Sequence, residues 1–184
     1  MKTIAIVIIA LITLQPANAQ QTCKDYITDE WPDSRYTVED ISGDKVVTDN
    51  KTRLMWKQCG EGASGPDCSI GMLPPDNVLT AFNWNQALNL ASTTEFAQYT
   101  DWRLPNLEEL KSLLALNCAH PAINLTVFPN SPIGDFWTSS PSPFIQADEN
   151  AWFVGFSNGF YGINSRGGGL FDYGKQVRLV RSEL

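Results

Sequence analysis

The sequence is short of the groups that carry most enzyme chemistry. It holds one histidine, His120, in 184 residues. A Ser-His-Asp or Cys-His apparatus would have to be built on that residue. It stands beside Pro121, and nothing near it resembles a nucleophile elbow. No glycine-rich phosphate loop is present. The cysteines include no C-x-x-C pair, the short spacing on which structural zinc sites are usually built. Basic residues are scarce as well: 13 Lys and Arg against 20 Asp and Glu, a net charge of −7. A nucleic-acid binder needs a basic face, so no nucleic acid partner is expected, and a broad electrostatic grip on polyanions or anionic lipid is disfavoured. After Leu14 no apolar run approaches the ~20 residues needed to cross a bilayer. There is no internal repeat, low-complexity tract or interdomain linker.

What is present begins with an address. Met1-Lys2 precedes an apolar run from Ile4 to Leu14, then Gln15-Pro16 and the triplet Ala17-Asn18-Ala19. A charged start, a short apolar centre and an A-x-A end read as a secretory signal peptide over residues 1–19. Gln20 rather than Cys follows, so no lipoprotein anchor is expected. Residues 20–34 then form an extension, and 35–184 one domain large enough for its own core. The mature protein is expected in the periplasm or outside the cell, with no membrane span after leader removal. The four cysteines are an even count in an exported chain and read as disulfides, with three pairings open. Cys59 and Cys68 bracket the Gly-rich "GEGASGPD", which closes easily, so those two are expected to pair, and Cys23 with Cys118. A zinc site on Cys118 and His120 is the competing use, and an oxidising compartment favours the disulfides.

Around "YTVEDISGDKVVTDNKTRLMWKQC" the pattern is that of strands. Val46-Val47 and Leu54–Trp56 flank Asp49-Asn50-Lys51-Thr52, a polar hairpin turn. Residues Gly60 to Pro75 read as loop. In "NWNQALNLASTTEF", Asn83 and Gln86 stand at capping-box spacing, and Ala87, Leu88 and Ala91 recur at helical spacing. In "YTDWRLPNLEELKSLL", Pro105 disfavours helix at Leu104, so "DWRL" is extended. Asn106 and Glu109 form a second capping box, Glu108 and Glu109 suit the positive end of the helix dipole, and Leu107, Leu110, Leu113 and Leu114 make the buried stripe. Adjacent carboxylates on a helix diverge by about 100°. They cannot flank one bond as glycosidase carboxylates do, so the pair starts a helix. The second half carries β segments, "DFWTSS", "NAWFVGF", "GFYGINS" and "KQVRLVRS". In the second of these Trp152, Val154 and Phe156 alternate onto one face.

These motifs carry a resemblance. "TRLMWKQC", "NWNQALNLA", "TDWRLPNLEELKSLL", "AINLTVFP", "FWTSS", "AWFVGFSNG" and "VRLVRS" together resemble the Lcl C-terminal domain family of bacterial exported proteins, from about Tyr36 to Ser182. More distantly, "RLPNLEEL", "FWTSS" and "RLVR" are similar to the formylglycine-generating enzyme and Fibrobacter major-paralogue domains. The resemblance implies an α+β, C-type-lectin-like fold: two helices, small twisted antiparallel sheets and paired chain ends. The enzyme's cysteines have no counterpart between Ala151 and Leu184, so its oxidase chemistry is not implied. The E-P-N, Q-P-D and W-N-D signatures of calcium-dependent lectins are absent. Asp148, Glu149 and Asn150 read as a solvated turn rather than a cation site, and no cofactor or metal is expected.

Arg166, Lys175, Arg178 and Arg181 make the C-terminus the most basic part of the chain, and read as solubilising charges and core-edge arginines. The stretch "GFSNGFYGINSRGGGLFDYGK" is dense in Gly, Asn and aromatics, a composition suited to a recognition face. In lectin-like folds this region forms the variable ligand surface, which the resemblance extends to this chain. Tyr161, Asn164, Arg166, Tyr173 and Lys175 are the candidate ligand-binding residues. The expected function is a non-enzymatic, adhesin-like module for a glycan or another surface macromolecule. A homo-oligomer or a structural subunit of an exported complex is the alternative within binding. A formylglycine-generating-like or carbohydrate-active enzyme is the rival class.

Overall fold

Alternating apolar residues need cover on both sides of a sheet when neither side is polar, and that requirement shapes this molecule. A computed structural model describes residues 21–73, 78–144, 149–167 and 174–182. The proposed leader therefore lies outside the described residues. The elements run β1 (Thr22–Cys23), β2 (Tyr36–Ile41), β3 (Asp44–Asp49), β4 (Leu54–Lys57), α1 (Trp84–Thr93), α2 (Leu107–Lys111), β5 (Cys118–Ala119), β6 (Asp135–Pro141), β7 (Asn150–Gly155), β8 (Tyr161–Ser165) and β9 (Val180–Ser182). The architecture is α+β, with two helices and small antiparallel sheets among the described residues. One sheet has the order β2-β3-β4-β9, another β6-β7-β8, and β1 pairs with β5. The last strand thus joins the first sheet, with Trp56 opposite Val180 and Leu54 opposite Ser182. No helix among the described residues is long and apolar enough to cross a membrane.

The alternation sorts side chains into two cores. Val47, Trp56, Phe136, Val154 and Phe156 face one, which Leu110, Leu113 and Leu114 close. Val46, Met55, Trp137, Ala151 and Phe153 face the other, where α1 brings Ala87 and Ala91. Strand β7 is therefore covered on both sides, and Phe153 is buried as Val154 and Phe156 are, while Trp152 is only half-buried.

Both helices begin as the capping signals predict. The Asn83 side chain accepts from the Gln86 amide and Gln86 reaches back, and Asn106 and Glu109 do the same. The second helix stops at Lys111, short of Leu113 and Leu114. The physical reason is at Ser112. Its carbonyl accepts from the Trp31 indole N–H (2.8 Å) and the Arg35 guanidinium (3.1 Å), so the chain is held where it must turn. Glu109 does more than cap. It takes both terminal nitrogens of Arg103, at 2.7 and 2.8 Å, and so ties the extended "DWRL" to the helix.

Both expected disulfides are formed, Cys23–Cys118 and Cys59–Cys68. The zinc alternative loses its ligand, since Cys118 is consumed. The first bond closes a separation of 95 residues, and a loop near that length is worth on the order of 4–5 kcal/mol in the chain-entropy view.

The most demanding polar group is Asp49, which is fully buried. Burial alone would raise its pKa. The Arg35 guanidinium, the Thr52 hydroxyl and the Lys51 amide more than reverse that and hold the carboxyl below its ordinary value. A depressed carboxyl contributes stability that is complete above the ordinary 3.8 and is lost as pH falls below it. Arg35→Met strands this charge and should cost about 3–5 kcal/mol at neutral pH. The cost should shrink toward pH 3, where protonation relieves the orphan. Urea unfolding of both proteins at the two pH values measures this, and an equal cost at each would show that the pair does not set it.

Candidate functional site

Strand β8 presents the predicted residues, and its register decides which of them can act together. Val154 pairs with Tyr161, Trp152 with Ile163, Ala151 with Asn164 and Asn150 with Ser165. Paired residues share a face, so Tyr161 and Ile163 lie with Trp152, while Asn164 lies on the opposite side. Tyr161 and Asn164 are three residues apart, and that odd spacing in a strand already separates them.

On the Tyr161 side three rings form a row. Phe144 and Trp152 have centroids 6.3 Å apart, and Trp152 and Tyr161 are again 6.3 Å apart. Phe144 is 59% exposed and Tyr161 44%. Ile163 extends the patch, also exposed. The Lys111 ammonium sits 4.6 Å from the Tyr161 ring centre and pairs with Glu108 at 3.0 Å, giving the row a charged rim supplied by α2. Sequence reasoning missed Phe144, and it put Trp152 on one face with Val154 and Phe156 without naming it as a binding residue. The exposed-face partner of Tyr161 follows only from register, which the chain does not print locally.

On the other side the Arg166 guanidinium carbon sits 4.2 Å from the Trp84 ring centre, and Arg166 donates Nε–H to the Asn150 carbonyl at 3.0 Å. Trp84 is itself fixed, its indole N–H donating to the Thr138 carbonyl at 2.7 Å. Asn85, Glu149, Ser165 and Arg166 line an open concavity of about 460 Å³ there. The Asn164 side chain accepts from the Ser165 amide. Lys175 is buried: its ammonium is 3.5 Å from Asp135 and 4.7 Å from the Phe153 ring centre. Tyr173 lies outside the described residues, as does Asp148 of the proposed turn. The structure thus brings Asn164 and Arg166 to one side, Tyr161 to the other, and packs Lys175 against the second core. Among the described residues no group of His, Cys, Asp and Glu is arranged to hold a metal ion.

The Lcl C-terminal domain model matches residues 45–181. The chain belongs to the Lcl C-terminal domain family. No curated protein and no solved structure matches it. The family span begins in β3 and ends in β9, so it contains both partners of the β4–β9 closure, both helices and the whole of the β6-β7-β8 sheet. The ring row and the Trp84–Arg166 stack both fall inside this Lcl C-terminal domain. Strand β2, the Arg35 end of the buried ion pair and Cys23 fall before it.

The two kinds of placement separate in stability. Tyr161→Ala should cost less than about 1 kcal/mol, as for exposed positions generally, whereas Lys175→Ala removes a buried stem and leaves Asp135 without its cation, costing about 1–3 kcal/mol. Chemical denaturation of the two variants tests the assignment, and a larger loss for Tyr161→Ala would reverse it.

Proposed function

We propose that this domain is a non-enzymatic recognition module of C-type-lectin-like fold, exported to the periplasm or beyond, that binds a glycan of a surface macromolecule in an adhesin-like role. The observation that carries the reading is the row Phe144, Trp152 and Tyr161. Exposed apolar rings gathered in one patch mark interaction sites, and aromatic side chains offer large contact area at little conformational cost. A row of rings suits the flat C–H faces of successive sugars, and the Lys111–Glu108 rim suits their hydroxyls. Export is supported by the two disulfides, which oxidising compartments sustain. The non-enzymatic reading is supported by how the perturbed carboxyls are used. Among the described residues four are held below their ordinary value: Asp49, Asp101 and Glu109 by hydrogen bonds from Arg35, Arg181 and Arg103, each of which joins two parts of the fold, and Asp67 by the Ser69 hydroxyl and amide of its own turn.

A glycan array on the mature protein, with and without calcium, is the direct test. A neutral or mixed glycan should bind in both conditions. Tyr161→Ala and Phe144→Ala should each weaken it at least tenfold, about 1.4 kcal/mol, with the melting temperature nearly unchanged. If Arg166→Ala weakens binding and the ring variants do not, the ligand occupies the Trp84 side, and the ring row is not the site.

A further inference from the structure

An open sheet ends in strands whose outward backbone groups need cover or a deterrent against pairing. Among the described residues the outer strands of the two larger sheets meet that need differently. Strand β6 is covered by the segment before β9, where the Trp137 amide donates to the Gln176 carbonyl. Strand β9 exchanges backbone hydrogen bonds with Arg103 through Val180. Strand β2 carries Glu39 and Asp40, charges that oppose pairing with another chain. Strand β8 reads "YGINS" and has neither cover, charge nor proline.

Its open groups follow from the register. The Gly155 amide donates to the Phe160 carbonyl, and the Arg166 amide to the Glu149 carbonyl. Bonded and non-bonded pairs alternate along an antiparallel ladder. Phe160, Gly162, Asn164 and Arg166 therefore turn their backbone groups to β7, and Tyr161, Ile163 and Ser165 turn theirs outward. The Ser165 amide is taken by the Asn164 side chain at 2.7 Å. That leaves the N–H and C=O of Tyr161 and of Ile163, to which the described residues bring no partner.

The side chains beside these groups are apolar on both faces. Tyr161 and Ile163 are exposed on one. Phe160 is exposed on the other, its ring centre 6.0 Å from that of Phe153. A Cβ at Gly162 would come within 3.1 Å of the Phe160 ring and 3.2 Å of the Phe153 ring, so glycine leaves room for both. A ligand lying on the sheet touches one face. A strand laid along the edge covers all three side chains together with the open backbone groups.

We propose that β8 pairs with β8 of a second copy of this chain, antiparallel, about a twofold axis through Gly162. In that register Tyr161 lies opposite Ile163 of the second copy, and Ile163 opposite its Tyr161. Each open N–H then meets an open C=O. The two Gly162 residues form the non-bonded pair at the axis, where Cα atoms approach most closely, and no side chain holds them apart. The seam needs a strand that is neutral, apolar on both faces and open at two alternate residues. Among the described residues β8 itself meets that description, and pairing it with its copy sets no like charges opposite each other, although the chain carries a net −7. The axis stands perpendicular to the sheet, so two three-stranded sheets become one of six strands with both Tyr161 rings on the same face. The pairing does not rest on the ring row having a ligand.

Sedimentation equilibrium and amide hydrogen exchange on the mature protein test it. Small interfaces are weak, so a dimer should form between about 10 µM and 1 mM, and added salt should not weaken it. The Tyr161 and Ile163 amides should gain protection as concentration rises. The Val38 amide, turned outward on β2 by its own register, should not. Ile163→Lys sets a charge on the edge, and Ile163→Pro removes one outward N–H while leaving the bonds to β7. Each should weaken dimerisation at least tenfold, and Ile163→Val should not. If the proline unfolds the sheet, the lysine variant, at an exposed position, decides the matter. A monomer throughout that range, a trimer, a dimer in which those two amides stay open, or a dimer unchanged by Ile163→Lys would overturn the pairing. So would protection of the two amides in the monomer, which would mean that the chain covers its own edge.

Discussion

Both larger sheets of this fold are laced to the segment Gly174–Ser182. It enters opposite Phe82, where Lys175 exchanges backbone hydrogen bonds with it, and runs beside β6, with the Trp137 amide donating to the Gln176 carbonyl. It then crosses to the first sheet. The amides of Glu61 and Lys57 donate to Val177 and Leu179, and Val180 exchanges hydrogen bonds with Arg103 before β9 pairs with β4. One stretch of chain thus joins both larger sheets, the entry to α1 and the approach to α2. Contacts between segments so distant in sequence are costly to form and are made late, and without them neither sheet has a reason to face the other.

That segment also explains where the positive charge goes. Arg178 is fully enclosed, between Phe128 and Phe136, and donates to the carbonyls of Lys57 and Gln58 and to the Ser131 hydroxyl. Burial pushes its pKa down to about 10, with Glu61 opposing the fall, so it stays charged at neutral pH and its donors stay directed at those carbonyls. Arg181 lies over Tyr99 at 3.8 Å and donates to Asp101. The most basic part of the chain is therefore spent on joints. The exterior keeps the acidic residues, which is why a ligand held by rings and hydroxyl-binding groups fits this surface better than a polyanion.

Local codes were legible and long-range closures were not. Asn83 with Gln86, and Asn106 with Glu109, announce two helix starts because a cap is satisfied within four residues. The Val46-Val47 and Leu54–Trp56 strands announce themselves by a polar turn between them. The early end of α2 was hidden, because Trp31 and Arg35 capture the Ser112 carbonyl from some 80 residues away in sequence. The face of Tyr161 was half legible: odd spacing parts it from Asn164, but its neighbours Trp152 and Phe144 follow from β7–β8 register and from where the chain returns after β6. Lys175 shows the limit most plainly. A lysine in a Gly-rich stretch reads as surface, yet the bridge to Phe82 draws its stem across Phe153.

The two-sided burial of β7 then confines the proposed recognition to a narrow margin. A strand covered by α2 on one side and by the second core on the other has no face to offer. Only where cover runs out, at Trp152 and along β8, do side chains meet solvent on both sides of the same sheet. Among the described residues β8 pairs with β7 alone, so it is also the sheet's margin. Substitutions there change what is displayed without disturbing the 174–182 lacing, since the lacing runs through β6 and β4 and never through β8. A scaffold tied together through its last segment thus leaves the β8 margin free to carry different side chains, and that is the physical basis for proposing recognition there.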